Sequence, residues 1–219
     1  MMTPYYQDDL VTIYRGDCRD VGLPTADMVL TDPPYGEVNR PTQGLRILDK
    51  GVADIETMSP SMVVELIGGL APSHYVWCGT EQVSELRAGF VRKGFSTRLG
   101  IWEKSNPSPM NGQYLWLSAI ETCVFARTKG AYFSRFCESP VWRGASVHHT
   151  KTLHPTQKPE WLFKYLIESS CPPNGLVIDP FMGVGTALVC AKQSGRRAIG
   201  VDIEEKYCAA AVERIKATK

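Results

Sequence analysis

Short apolar runs alternate along this chain with stretches of helical period. The runs at 11–14, 27–30, 74–77, 95–102, 119–126, 176–178 and 197–201 are flanked by turn-forming or polar residues, and they predict seven strands. Between them, apolar residues at 62, 63, 66, 67 and 70 follow Ser59, a residue of N-cap type, and predict a helix over 60–70. A second helix is predicted over 80–90, capped at Thr80 with acids in its first turn. Three more are predicted over 159–170, with proline in the first turn, over 186–193, and over 204–217. Strands alternating with helices predict an α/β fold, a doubly wound and mostly parallel sheet with helices on both faces.

Three stretches break the pattern. Residues 37–58 are polar, rich in Gly and weakly periodic, and predict a long mobile loop. The stretch 105–112 is rich in Pro, Asn and Gly. Residues 131–151 read as irregular, aromatic and basic. The expected organisation is one domain over 1–219, with a small basic insertion over 105–151.

Bulk properties narrow the class. Apolar residues make up 43% of the chain, enough for a full core, and no run of eighteen apolar residues predicts a membrane span. No signal peptide is expected, because Met1 to Asp9 has no basic region followed by an apolar one. The seven cysteines show no C-x-x-C pair, so they read as reduced thiols of a cytoplasmic protein, and no metal site is predicted. The net charge of +1 hides an asymmetry. Residues 87–151 carry ten Lys/Arg and three acids, a net +7, against −6 for the remainder. Two readings are open: a surface that meets phosphates, or a solvated face.

The densest chemical signal is Leu176-Val-Ile-Asp-Pro-Phe-Met-Gly-Val-Gly-Thr186. A buried strand runs into a turn with two glycines and then opens a helix, which lets backbone approach a ligand at the carboxyl edge of a sheet. A dinucleotide fingerprint would need glycine at 188, where Leu188 stands. Asp202 ends the next strand, where an acid can accept both hydroxyls of a ribose.

This motif, followed by Gly200-Val-Asp-Ile-Glu-Glu-Lys-Tyr207, resembles the cofactor motifs of amino-methylating DNA methyltransferases, enzymes of adenine N6 or cytosine N4. His154-Pro-Thr-Gln-Lys-Pro159 resembles the segment beside the cofactor in that family, and Thr31-Asp-Pro-Pro-Tyr-Gly36 its catalytic motif. The catalytic motif comes first, which is the family's permuted β arrangement. The resemblance runs over 11–215 and is weakest at 37–58 and 127–151.

The resemblance implies a methyltransferase-type sheet, S-adenosylmethionine as cofactor, double-stranded DNA as partner, and a target base flipped out of the duplex. It assigns catalysis to Asp32, Pro33, Pro34 and Tyr35. An exocyclic amine is a poor nucleophile because its lone pair is delocalised into the ring. Asp32 and the Pro33 carbonyl can accept its two N–H bonds and favour the charged nitrogen that develops, while Tyr35 offers a face for stacking. The sulfonium is already activated, so no metal is needed. On the cofactor side the resemblance points to Asp17 for the adenine amine and Asp202 for the ribose. It points to Phe181, Gly183, Gly185 and Thr186 for the methionine end, with Thr156 and Lys158 near its carboxylate. Lys158 also reads as a surface lysine at a helix start. Asp179 reads either as a ligand contact or as a cap of the turn.

Asp at 32 matches the adenine N6 enzymes, whereas N4-cytosine enzymes of this arrangement carry Ser there. Recognition falls to 105–151, with Arg127, Lys129, Arg135, Arg143, Lys151, Tyr132, Phe133, Phe136 and Trp142, whose aromatics read equally as packing. So short a segment implies a short target or a homodimer that shares the reading. Methylation of RNA or of glutamine, a non-catalytic DNA-contacting subunit, and an oxidoreductase are the competing readings. Asp32 argues against glutamine, the intact Asp32, Tyr35, Gly183 and Asp202 against a non-catalytic subunit, and Leu188 against an oxidoreductase, while RNA stays open.

Overall fold

The computed structural model describes residues 2–34, 58–108, 116–147 and 157–218. All seven predicted strands form: β2 (Val11–Arg15), β3 (Met28–Thr31), β4 (Ser73–Cys78), β5 (Ser96–Lys104), β6 (Ile120–Arg127), β8 (Leu176–Asp179) and β9 (Arg197–Asp202). Two edge strands add to them, β1 (Tyr6–Gln7) and β7 (Val141–Gly144), and make one nine-stranded sheet in the order β1-β2-β9-β8-β3-β4-β6-β5-β7. The strands from β2 through β4 in that order pair parallel, and β6 lies antiparallel between β4 and β5.

Strand β7 corrects the expectation that 131–151 is irregular. Its four residues alternate exposed and half-buried, too short and too polar a pattern to stand out in the sequence. It pairs parallel with β5, and two glycines make room for it. A Cβ on Gly100 would lie 2.5 Å from the Trp142 ring, and one on Gly144 would lie 2.3 Å from Trp161.

Successive residues of a strand face opposite sides, and both sides here are buried. Met28, Leu30, Tyr75, Trp77, Cys123 and Val177 face the helices α3 (Glu160–Ser170), α4 (Thr186–Gln193) and α5 (Glu205–Ala217). Val29, Val76, Cys78, Val124 and Ile178 face α1 (Pro60–Ile67) and α2 (Val83–Arg92). Ser59 caps α1 as predicted, its hydroxyl accepting from the Met62 N–H at 3.3 Å. The second helix departs from expectation. It opens with a 3-10 turn, Thr80–Gln82, and the Thr80 hydroxyl turns to Glu81 instead of capping. The Gln82 side chain accepts from the Gly79 N–H there. Among the described residues no helix is long and apolar enough to cross a membrane.

The topology places the site. From β8 the chain passes through α4 to β9 on one side, and from β3 through α1 to β4 on the other. The winding reverses between β3 and β8, and a crevice opens at the carboxyl ends of the strands there.

Candidate active site

Asp32-Pro33-Pro34 leaves the carboxyl end of β3, directly beside the end of β8. Proline cannot continue the ladder, so the chain turns at this point. Pro33 is buried, and the Pro34 carbonyl accepts from the Met58 N–H at 3.0 Å. Tyr35 and the predicted loop lie outside the described residues, apart from Met58, and so does Thr156.

The end of β8 carries Asp179, which is 3% exposed. Its Oδ1 accepts from the Thr31 hydroxyl at 2.8 Å and from the Phe181 N–H at 3.2 Å. The carboxylate therefore ties the residue before Asp32 to the first turn of the glycine loop, and of its two readings the turn cap is the one drawn in hydrogen bonds. Burial pushes its pKa up to about 7, and the charges of Asp32 and Asp202 add to the rise.

The loop after Asp179 is shaped by glycine. Gly183 and Gly185 have φ of 51° and 72°, a region that L side chains rarely adopt. A Cβ on Gly183 would meet nothing within 4 Å, so the loop presents bare backbone to open space, a cradle suited to a ligand. A Cβ on Gly185 would lie 2.9 Å from the Ala211 Cβ, so this glycine serves the packing of α4 on α5. Thr186 also faces α5, where its hydroxyl accepts from Arg214 at 3.1 Å. Phe181 packs against the cluster of Cys18, Val21 and Val201.

Asp202 ends β9 and holds this loop from the next strand. Its Oδ2 accepts from the Gly183 N–H at 2.9 Å and its Oδ1 from the Glu204 N–H at 2.8 Å. A carboxylate has about four lone-pair sites, so further acceptance from a diol is compatible with both bonds. Asp17 stands one strand further along, where the Gly16 N–H donates to the Asp202 carbonyl at 2.9 Å. The Arg19 guanidinium grips the Asp17 carboxylate and holds its pKa below the usual range. Ile203, directly after Asp202, leaves an apolar side chain 42% exposed at the same edge.

Lys158 corrects one of its two readings, because it is 4% exposed and is not a surface lysine. Its ammonium donates to Asp32 Oδ2 at 2.5 Å, lies 3.1 Å from a Glu121 oxygen, and sits 5.4 Å from the centre of the Trp77 ring. Glu121 in turn lies 2.7 Å from Lys104. The sequence assigns no role to Glu121, Lys104, Thr31 or Arg214, although Thr31 opens the catalytic motif. The available signal for Glu121 is an acid inside an otherwise apolar strand.

The described structure thus gathers Asp32, Lys158, Asp179, Gly183, Asp202 and Asp17 along one sheet edge, and turns Gly185 and Thr186 towards α5. A model of a family described as DNA methylase matches residues 26–213. The chain belongs to this DNA methylase family. Among relatives, the type II methyltransferase M2.DpnII of Streptococcus pneumoniae is 27% identical over 99% of this chain and 94% of its own length. The type II methyltransferase M.HinfI of Haemophilus influenzae is 28% identical over 100% of this chain and 72% of its own. Among solved structures, the complex of M1.HpyAVI with S-adenosylmethionine superposes with a TM-score of 0.74 at 25% identity, covering 94% of this chain and 99% of that one. The family match spans the Asp32 turn, Lys158, the glycine loop and Asp202, and Asp17 lies just before it.

Proposed function

We propose that this DNA methylase transfers a methyl group from S-adenosylmethionine to the N6 amine of adenine in double-stranded DNA. The observation that carries this reading is the adjacency of Asp32 to the glycine loop across the β3–β8 crevice, locked by the Thr31–Asp179 bond. When bound, the cofactor supplies a methyl group on a sulfonium. The protein's residues supply placement. Bare backbone at Gly183 and the Asp202 carboxylate hold the cofactor, and Asp17 faces its adenine end.

Asp32 accepts one N–H of the target amine and the Pro33 carbonyl accepts the other. Both acceptors grow in strength as positive charge develops on nitrogen, so they favour the transition state over the ground state. Two consecutive prolines restrict the turn, so little reorganisation is needed during transfer. The target amine is inside a duplex before reaction, so the base must swing out, and stacking on Tyr35 offsets about 1–3 kcal/mol of that cost. Asp at 32, where N4-cytosine enzymes of this arrangement carry Ser, favours adenine. The segment 105–151 is the reader of the target. The exposure of Arg143, 73% near the end of β7 where it pairs with Glu103, supports that reading.

Tritiated S-adenosylmethionine offered with unmethylated duplex DNA, RNA and protein tests the reading. Digestion of labelled DNA to nucleosides should release N6-methyladenine. Label in N4-methylcytosine would replace the adenine assignment, and label in RNA or protein alone would overturn the DNA one.

A further inference from the structure

We propose that Glu121 is a positioning residue for methyl transfer, seating the Lys158 ammonium that in turn sets the Asp32 carboxylate. The inference rests on the reading of Asp32 as the acceptor of the target amine.

Four charged side chains form one row of alternating sign. Lys104 lies 2.7 Å from Glu121, Glu121 lies 3.1 Å from Lys158, and Lys158 lies 2.5 Å from Asp32. They come from the end of β5, the start of β6, the segment before α3 and the turn after β3. The sheet brings them to one edge. Strand β6 runs antiparallel to both β4 and β5, so its first residues meet the last residues of both, with Glu121 opposite Trp102. Two indole faces line the row, Trp77 at 5.4 Å from the Lys158 ammonium and Trp102 at 5.4 Å from that of Lys104.

The geometry decides what Glu121 can do. A lysine ends a flexible four-carbon stem, and one carboxylate fixes its distance without fixing its direction. A second carboxylate and a ring face give the ammonium a single place. That place fixes Asp32 Oδ2, and with Cβ anchored to the turn, the other oxygen then has one orientation. Transfer needs its acceptors held to about 0.5 Å, and a misplacement of about 1 Å costs about a hundredfold in rate. Glu121 is kept charged for this task. Desolvation alone would raise its carboxyl, but Lys158 and Lys104 hold it below the usual carboxylate range. Among the described residues Glu121 is joined to the turn at 32–34 through Lys158, so its effect on the amine runs through Lys158 and Asp32.

The variant E121Q keeps the shape and removes the charge. It should lower kcat on duplex DNA by about ten- to a hundredfold, while the Kd for S-adenosylmethionine from calorimetry stays within about threefold and the melting temperature stays close to the parent. A folded E121Q with kcat within twofold of the parent would overturn the proposal. So would a weaker cofactor Kd with unchanged kcat at saturation, which would make Lys158 a partner of the cofactor carboxylate instead. Should E121Q fold poorly, the charge-balanced variant E121Q/K104M leaves Lys158 and Asp32 as a neutral pair and should give the same split. D32N, assayed in parallel, separates the two levels: an active D32N removes the reading of Asp32 itself, whereas an inactive D32N beside a fully active E121Q removes only the role of Glu121.

Discussion

At the residue scale, two carboxylates on neighbouring strand ends carry different duties. Asp32 faces a lysine and is read as the acceptor of the target amine, while Asp179 is sealed between Thr31 and the glycine loop. D32N preserves shape and should lower kcat by at least about a hundredfold, the usual size of losing a charged group aimed at developing charge. Cofactor affinity, measured by calorimetry, should stay within about threefold, and turnover near the parent's would remove Asp32 from the chemistry. Asp179 predicts a dependence on pH. Its folded value is about 7 against an ordinary 3.8. A raised carboxyl contributes its full stability below the unfolded value and loses it as pH rises towards the folded one. Above pH 7 the charged, buried group therefore leaves a deficit on the order of 4 kcal/mol. D179N should raise the urea midpoint of the apoprotein at pH 8, and the gain should shrink towards pH 4. A gain that did not change with pH would mean that Asp179 does not titrate in this window.

At the element scale, small residues at strand and helix ends decide how the site is held. Gly200 in β9 is one such point. A Cβ there would lie 2.5 Å from the Met182 sulfur and 2.7 Å from Leu188, both buried. G200A should cost about 1–3 kcal/mol in urea melts. It should also weaken cofactor binding, because Met182 precedes Gly183 in the loop, and unchanged affinity would separate the loop from the packing beneath it. The cap of α1 is a contrasting case. S59A removes the bond to the Met62 N–H and should cost about 1 kcal/mol. Cofactor affinity should not move, since none of the residues assigned to the cofactor lies on α1.

At the scale of the whole molecule, the core holds a buried histidine. His74 lies between Phe90 and Phe95, with ring centres at 5.0 and 5.1 Å. Its Nε2 pairs with the Ile67 carbonyl at 2.9 Å, so this nitrogen carries the proton, and Nδ1 has no hydrogen-bond partner among the described residues. Burial pushes its pKa down to about 4 from 6.5. The unfolded chain gains a proton below pH 6.5 and the folded one only near 4. Stability is therefore lost as pH falls through that window, by about 3 kcal/mol from this group. H74L lowers stability at neutral pH through the lost bond, but its stability should fall less steeply between pH 6.5 and 4. Equal slopes for the two proteins would place the acid sensitivity elsewhere. Charge also reads differently in three dimensions. The three acids within 87–151 each pair with a cation of the same stretch: Glu103 with Arg143, Glu121 with Lys104 and Glu138 with Arg135. Those pairs are neutral, so the excess rests on the other seven cations of the stretch. Arg127 lies over the Phe133 ring, which stacks on Phe125, so Phe133 is packing, whereas Tyr132 and Phe136 are exposed.

The sequence by itself determined the seven main strands, the five helices, the order of the motifs and the turn at Asp32, because each rests on period, caps and prolines within a few residues of one another. It missed β7, whose four residues gain their register only from β5 and from the space left at Gly100 and Gly144. Tertiary structure alone decided which strands adjoin, and hence that Thr31 and Asp179, 148 residues apart, share a hydrogen bond. It alone turned Lys158 from a helix-start lysine into the buried partner of Asp32 and Glu121. The physical reason is the same in both cases: an ion pair or hydrogen bond between distant strands depends on the winding of the sheet, and no local pattern of residues records it.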